Sequence, residues 1–356
     1  MRLAHIDRMR AIAVLCMVEV HTAAIIPPKG MTVGDPAAFV AAAFGGMAAP
    51  MFVMISGWGI HLSATNRAAR GPMAGSDWLS WLMPRVLLLT LCQLLVNVLL
   101  NVERGGRFEW HTPGVLTLLA IAALLAPVLV RLGIQARIAL MLLMVASPLM
   151  LGDAAGPDWT WWERVACEDS SEWVARLLWN GTYPAVPWLF FVLLGTLVYD
   201  LSENPRMRER NIAMGLAATT ITIVIAVMED IPWALTEGDA VLTFFPASPA
   251  FLIVSGTFAL LVHRILEGSE SSGGEPWKGE RLSLLEPLGK ITLTVYVAHF
   301  AVLGVVASLM QGEPRLELVP AFAATIGHTL IWIPLAIWHQ NNIPDISLES
   351  LLRKLS

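Results

Sequence analysis

Long apolar runs recur along the whole chain, separated by shorter segments that hold most of the polar residues. Runs of about 18–24 residues cross roughly 30 Å of hydrocarbon as helices, whereas barrel strands would alternate polar and apolar positions. The pattern predicts ten spans, at residues 9–27, 38–62, 79–101, 114–131, 136–152, 184–201, 211–229, 246–265, 288–309 and 319–340. We therefore expect an all-α fold, a polytopic membrane protein with about ten transmembrane helices.

Composition supports this fold class. Hydrophobic residues make up 56% of the chain and charged residues only 14%, against about 25% charged in a typical soluble domain. The first apolar run is not followed by a small-residue cleavage site, so it is interpreted as a retained span. Cys16, Cys92 and Cys167 show neither metal-ligand spacing nor a disulfide framework, and we expect no metal.

The distribution of cationic residues predicts the orientation. If the N-terminus is cytoplasmic, the inside segments hold 16 Lys and Arg residues and the outside segments 6. Cytoplasmic loops of membrane proteins are enriched in these residues. Both termini are therefore expected on the cytoplasmic side.

We expect one integral membrane domain over residues 1–356, with two unusual loops. The outside loop at 153–183 is acidic and tryptophan-rich, and its segment 168–179 is typical of an interfacial helix. This loop is either an aromatic belt at the lipid surface or a lid for an extracytoplasmic acceptor. The inside loop at 267–283 is polar and rich in Gly and Ser, which predicts a flexible cytoplasmic connector.

A cation and a histidine, Arg10 and His21, lie eleven positions apart on the first predicted span. At about 100° and 1.5 Å per residue they project from one face, roughly 16 Å apart along the axis. Arg10 is expected at the cytoplasmic boundary and His21 near the middle of the membrane. Ionisable groups at that depth are costly and usually functional.

The neighbours of this pair leave alternatives open. Asp7 precedes Arg10 by three residues and either orients its guanidinium as a phosphate clamp or marks a helix start. His21 is a candidate general base or a hydrogen-bonding group between helices. Glu19 projects about 200° away from His21, so it needs a partner from another span.

Other spans add further candidates. Ser56 lies among small residues of the second span, which favour either close packing or a substrate-lining role. Arg85 is either a positive-inside residue or a second phosphate-contacting cation. Tyr296 and His299 share a face of the ninth span, with His299 at a depth comparable to that of His21. His328, nearer an end of the tenth span, ranks lower.

Four blocks together resemble the transmembrane acyltransferase superfamily, most closely the bacterial and archaeal relatives of heparan-alpha-glucosaminide N-acetyltransferase. They are DRMRAIAVLCMVEVH (7–21), GGMAAPMFVMISGWG (45–59), YPAVPWLFFVLLGTLVYD (183–200) and LGKITLTVYVAHF (288–300). The related acyltransferase family 3 has an arginine or lysine, ten residues and a histidine on its first helix, which Arg10 and His21 match. The usual Leu-Arg-Gly is altered to Met9, Arg10 and Ala11.

The resemblance implies transfer of an acyl group, usually acetyl, from cytoplasmic acetyl-CoA to an amine or hydroxyl of an acceptor. The acceptor would be a glycan, a lipid-linked molecule or a small molecule at or beyond the outer face, and a homodimer is allowed. By this likeness, Arg10 and Arg85 hold the CoA phosphates, and Asp7 orients Arg10. His21 and His299 are catalytic. The substrate path is lined by Ser56, Tyr296 and Glu19. The second cation motif of family 3 is represented by Arg85 alone.

Two alternatives remain open from the residues. His21 either removes a proton from the acceptor or forms a covalent acyl intermediate. A proton-coupled transporter or lipid flippase would also use buried histidines, although no pair of broken, inverted segments is found.

Overall fold

The computed structural model describes residues 3–31, 35–71, 73–271, 282–310 and 316–355. Most of these residues are helical. The helices are α1 (Ala4–Ile25), α2 (Pro36–Ala68), α3 (Gly75–Leu99), α4 (Val115–Arg131), α5 (Ile134–Leu151), α6 (Trp161–Val165), α7 (Ser170–Ala175), α8 (Ala185–Asp200), α9 (Pro205–Met228), α10 (Pro249–Ser271), α11 (Glu286–Gly289), α12 (Thr292–Leu309), α13 (Leu318–Asn342) and α14 (Leu348–Leu355). Of the predicted connector at 267–283, residues 272–281 lie outside the described residues.

All ten predicted spans fall on helices, and the all-α polytopic fold is confirmed. Within the described ranges, seven helices are long and apolar enough to cross a membrane, and a pair bent by 43° (Ser170–Asn180 with Ala185–Asp200) makes an eighth. The remaining spans coincide with α4, which is shorter, and with α1. Because α1 begins at Ala4 and not near residue 9, Arg10 lies inside the helix, about one and a half turns from its start.

The chain divides into two compact units, each built from discontinuous segments. The first contains Met1–Phe52, Leu95–Trp110 and Leu261–Leu355, and the second contains Val53–Leu94 and His111–Leu260. The single domain over 1–356 stays a prediction.

In the first unit, α1 packs against α11, α12 and α13. The shared core consists of buried apolar side chains, namely Ala11, Val14, Val18, Leu288, Ile291, Val295 and Ala336. At Gly289 the backbone of α11 approaches α1 so closely that a β-carbon there would overlap the carbonyl group of Asp7. Small residues are what allow helices to approach in this way without clashes.

In the second unit, glycines allow α2 and α8 to pack backbone against backbone. A β-carbon at Gly57 would overlap the carbonyl oxygen of Val192, and one at Gly195 would overlap that of Met54. The close approach expected from the small residues of the second span is therefore confirmed.

A buried charge cluster joins α2, α5 and α8 at one end of the second unit. The Arg137 guanidinium donates to Asp200, and His61 Nε2 lies 3.3 Å from Asp200 Oδ1. His61 and Arg137 are only 5% and 4% exposed. Because a buried charge is stable only when it is paired, each member depends on the other two helices for its partners.

The tryptophan-rich segment at 153–183 is folded around one arginine. Arg164 is fully buried, and its guanidinium donates to the carbonyl oxygens of Ala155, Gly156 and Asn180. Burial lowers the pKa of Arg164 to about 10. The helix predicted within 168–179 is present as α7, and the Asp169 side chain caps it by accepting from two backbone amides.

A small parallel sheet between α9 and α10 was not predicted. Its strands are β1 (Ala234–Glu237) and β2 (Leu242–Phe245), with Ala234 paired to Leu242 and Glu237 to Phe245. The turn between them contains Gly238 at a φ of 92°, a conformation that favours glycine. Strands of four residues are too short for a periodic pattern to reveal them.

Candidate active site

The first unit brings together two of the predicted catalytic residues. His21 of α1 and His299 of α12 form a hydrogen bond, with 2.9 Å between His21 Nδ1 and His299 Nε2. Their rings are parallel within 5°, with centroids 5.2 Å apart. His299 is completely buried and His21 half-buried. The two histidines were predicted to lie at similar depths, and the structure brings them into direct contact.

The hydrogen bonds of this pair define which nitrogens hold protons. His299 Nδ1 lies 3.1 Å from the carbonyl oxygen of Val295, which can only accept, so this nitrogen donates. A neutral imidazole has one N–H group, which leaves a lone pair on His299 Nε2. His21 Nδ1 must then donate to it. The remaining nitrogen, His21 Nε2, holds a lone pair and is the proton acceptor of the pair.

Aromatic side chains surround the two rings. Phe300 lies 4.5 Å from the ring centroid of His21 and 4.3 Å from that of His299. Tyr296, the predicted lining residue, contacts His299 edge-on at 5.7 Å and is 3% exposed. Phe108 contacts Phe300 edge-on, with ring centroids 6.0 Å apart. Such surroundings favour the neutral form of both imidazoles, because an unpaired charge is costly in an apolar medium.

Asp7 and Arg10, three residues apart on α1, form the expected ion pair. Arg10 Nη1 lies 3.5 Å from Asp7 Oδ1, with the arginine side chain 31% exposed and the aspartate side chain 3% exposed. The nearby Arg8 is different, because it is buried and bonded to Glu286 of α11 at 2.7 Å. Arg10 is therefore the more accessible of the two cations, about 16 Å along the helix from His21.

The other predicted site residues are distributed between the units. Glu19 of α1 is half-buried, and among the described residues its Oε2 atom has no hydrogen-bond partner. Ser56 of α2 and Arg85 of α3 belong to the second unit, and both are half-buried. Their proposed lining and phosphate-binding roles stay predictions.

Sequence reasoning placed one histidine, His328, too near the end of its helix. Because α13 extends over Leu318–Asn342, His328 lies well inside the helix. Its Nδ1 atom is 2.8 Å from Oγ1 of Thr22, the residue that follows His21. Phe300 was also missed, although its position directly after His299 was a usable signal.

Comparison with known proteins identifies the family. The family model described as an acyltransferase domain, acyltransferase family 3, matches residues 3–337, nearly the whole chain. No curated protein matches the chain. The family favours an acyltransferase over the transporter or flippase that buried histidines alone would also allow. Because the family model matches residues 3–337, the chain belongs to the acyltransferase family 3 of integral membrane proteins.

Proposed function

We propose that this membrane acyltransferase transfers an acetyl group from cytoplasmic acetyl-CoA to an amine or hydroxyl of an extracytoplasmic acceptor, with His21 as general base. The observation that carries the proposal is the hydrogen bond from His21 Nδ1 to His299 Nε2, which leaves the lone pair on His21 Nε2. A base oriented by a second group is the arrangement that acyl transfer requires.

In the proposed reaction, His21 Nε2 removes the proton from the acceptor nitrogen or oxygen as that atom attacks the thioester carbonyl. The carbon–sulfur bond breaks, and His21 then gives the same proton to the departing thiolate, so that CoA leaves as the thiol. While His21 carries a proton on each ring nitrogen, its Nδ1–H remains hydrogen-bonded to His299. His299 thus positions the base and stabilises the transient imidazolium. This direct route needs no acyl-histidine intermediate.

Arg10 is the proposed contact for a CoA phosphate, since a guanidinium presents a planar fork to phosphate oxygens. Asp7 fixes its orientation through their ion pair. The orientation predicted from the loop charges puts this end of α1 at the cytoplasm, where acetyl-CoA is available. Arg85 is proposed as a second phosphate contact. Ser56, Tyr296 and Glu19 are proposed to line the path of the substrates.

The acceptor is proposed to be a glycan, a lipid-linked molecule or a small molecule. The likeness to prokaryotic relatives of heparan-alpha-glucosaminide N-acetyltransferase supports an amino sugar as the first acceptor to test. The same likeness supports a prokaryotic plasma membrane location and allows a homodimer.

The proposal is tested with purified full-length protein in lipid nanodiscs and acetyl-CoA labelled in its acetyl group. Glucosamine, glucose and ethanolamine serve as defined acceptors, and the label is followed by chromatography. We expect label in at least one acceptor together with an equal amount of CoA thiol. Binding of acetyl-CoA without any thiol release, or no binding at all, would contradict the proposal.

A further inference from the structure

The C-terminal helix α14 has one apolar face that the protein only partly covers. Leu348, Leu351, Leu352 and Leu355 recur at intervals of three and four residues, so they share one side of the helix. Leu351 and Leu355 are 44% and 54% exposed, whereas Ser350 on the polar side is almost completely buried. The protein therefore contacts the polar side of α14 and leaves large apolar side chains outside.

Glu349 attaches this helix to the beginning of α12. Its Oε1 atom accepts from the backbone amide of Leu293 and, at 3.4 Å, from that of Thr294, and its Oε2 atom accepts from Thr294 Oγ1 at 2.7 Å. The first amides of a helix have no partner within the helix, and the side chain of Ile291, which precedes α12, makes no capping bond. The carboxylate of α14 therefore supplies a cap for the helix that holds His299.

α14 begins beside the end of a membrane span. The helix α13 is long and apolar enough to cross a membrane. Trp338, about one turn before its end, is 55% exposed, and aromatic side chains collect at the membrane–water boundary. The next residue, His339, donates from Nε2 to the carbonyl oxygen of Ile346 at 2.7 Å, two residues before α14 begins. The start of α14 is thus held at the level of this boundary.

The charges of α14 indicate which surface its apolar face fits. Arg353 and Lys354 are exposed on the polar side, and Glu349, the only acidic residue of the helix, is engaged by α12. The exposed charge of α14 is therefore positive. A helix with leucines on one side and cations on the other is typical of the membrane interface, where anionic headgroups attract the cations. The loop charges predict that this end of the chain is cytoplasmic, the side on which anionic lipids are exposed.

We propose that α14 docks on anionic lipid at the cytoplasmic membrane surface and thereby keeps Glu349 on the first turn of α12. The two exposed leucines insert among the lipid chains, and the two cations contact headgroup phosphates. His299 lies six residues beyond Leu293, about 9 Å along α12, so the cap acts on the helix that positions the proposed base. The effect on catalysis rests on the proposed acyl transfer, whereas the docking does not.

The test is hydrogen–deuterium exchange of purified full-length protein in nanodiscs of phosphatidylglycerol or of phosphatidylcholine. We expect the anionic lipid to slow exchange at residues 350–355 and at the amides of Leu293 and Thr294. Each cation contributes about fivefold near an anionic surface, so the slowing should be roughly 30-fold. Equal exchange in the two lipids would overturn the proposal.

Two double variants separate the apolar contact from the charges. Leu351→Gln with Leu355→Gln retains helix-forming side chains but removes the apolar contact, and it should restore fast exchange at the beginning of α12 in anionic discs. Arg353→Gln with Lys354→Gln should abolish the difference between the two lipids. As a matched control, Arg206→Gln with Arg210→Gln removes two exposed cations of α9 and should leave the difference unchanged.

The other outcomes are equally decisive. If slow exchange requires two copies of the protein in one disc, or persists in the double leucine variant, protein and not lipid covers this face, and the docking is overturned. Thiol release in anionic discs should be faster for the wild type than for the double leucine variant. If anionic lipid slows exchange as expected but the wild type releases no thiol, the acyl transfer fails and the docking stands.

Discussion

His21 Nδ1 donates a hydrogen bond to His299 Nε2 across 2.9 Å, and the two rings are parallel within 5°. The direction of this bond follows from the backbone, because the only N–H group of neutral His299 donates to the Val295 carbonyl oxygen. His299 thus determines which ring nitrogen of His21 carries the hydrogen. The relationship joins α1 to α12 and leaves the lone pair of His21 Nε2 available for the proposed acyl transfer.

Replacing His299 should distinguish an orienting partner from a packing residue. His299→Leu fills a similar volume but removes the acceptor for His21 Nδ1, so we expect kcat for thiol release to fall about 100-fold. His299→Gln offers a side-chain oxygen that can accept the same bond, and it should recover a large part of that loss. Steady-state thiol release at saturating acetyl-CoA provides the measurement. Equal kcat values for the Leu and Gln variants would argue against the orienting role.

Arg10 should act on donor binding more than on the chemical step. Arg10→Ala removes a charge-assisted hydrogen bond worth about 1.5–3 kcal/mol, so KM for acetyl-CoA should rise roughly 10- to 150-fold. Arg10→Lys should give an intermediate value, since lysine lacks the planar fork. The double variant Asp7→Asn, Arg10→Ala controls for the charge left on Asp7. A fall in kcat with KM unchanged would show that Arg10 acts in the chemical step and not in donor binding.

Gly289 should tolerate no side chain, because a β-carbon there would overlap the Asp7 carbonyl group. Gly289→Val is expected to destabilise the protein by about 1–3 kcal/mol, the usual cost of forcing extra atoms into a packed interface. Gly327 of α13 offers a matched control, since nothing lies within 4 Å of its would-be β-carbon. Thermal unfolding in detergent should show a clear loss for Gly289→Val and none for Gly327→Val.

The buried charge cluster of the second unit should be sensitive to the loss of one partner. Arg137→Met leaves the Asp200 carboxylate without its guanidinium, and we expect a destabilisation of about 3 kcal/mol. The double variant Arg137→Met, Asp200→Leu removes both charges and should recover most of it. Urea-induced unfolding of the two variants in the same detergent makes the comparison. If the double variant is as unstable as the single one, packing and not charge explains the effect.

The helices were predictable from the sequence because each apolar run is long enough to be recognised without tertiary information. The pairing of Asp7 with Arg10 was predictable because it is local to one helix. Contacts between helices were not: the His21–His299 bond, the His328–Thr22 bond and the Arg137–Asp200 pair each join residues distant in the chain. Their positions depend on helix packing and rotation, which hydropathy does not encode.

Thiol release from acetyl-CoA by His21→Ala, compared with the wild type at equal CoA occupancy, tests the central claim most directly. We expect the wild type to release thiol in the presence of an acceptor, and His21→Ala to be slower by about 10²–10⁴-fold. CoA binding, measured separately by isothermal titration, should be retained within a few-fold in the variant. Unchanged thiol release by a properly folded His21→Ala protein would contradict the assignment of His21 as the base.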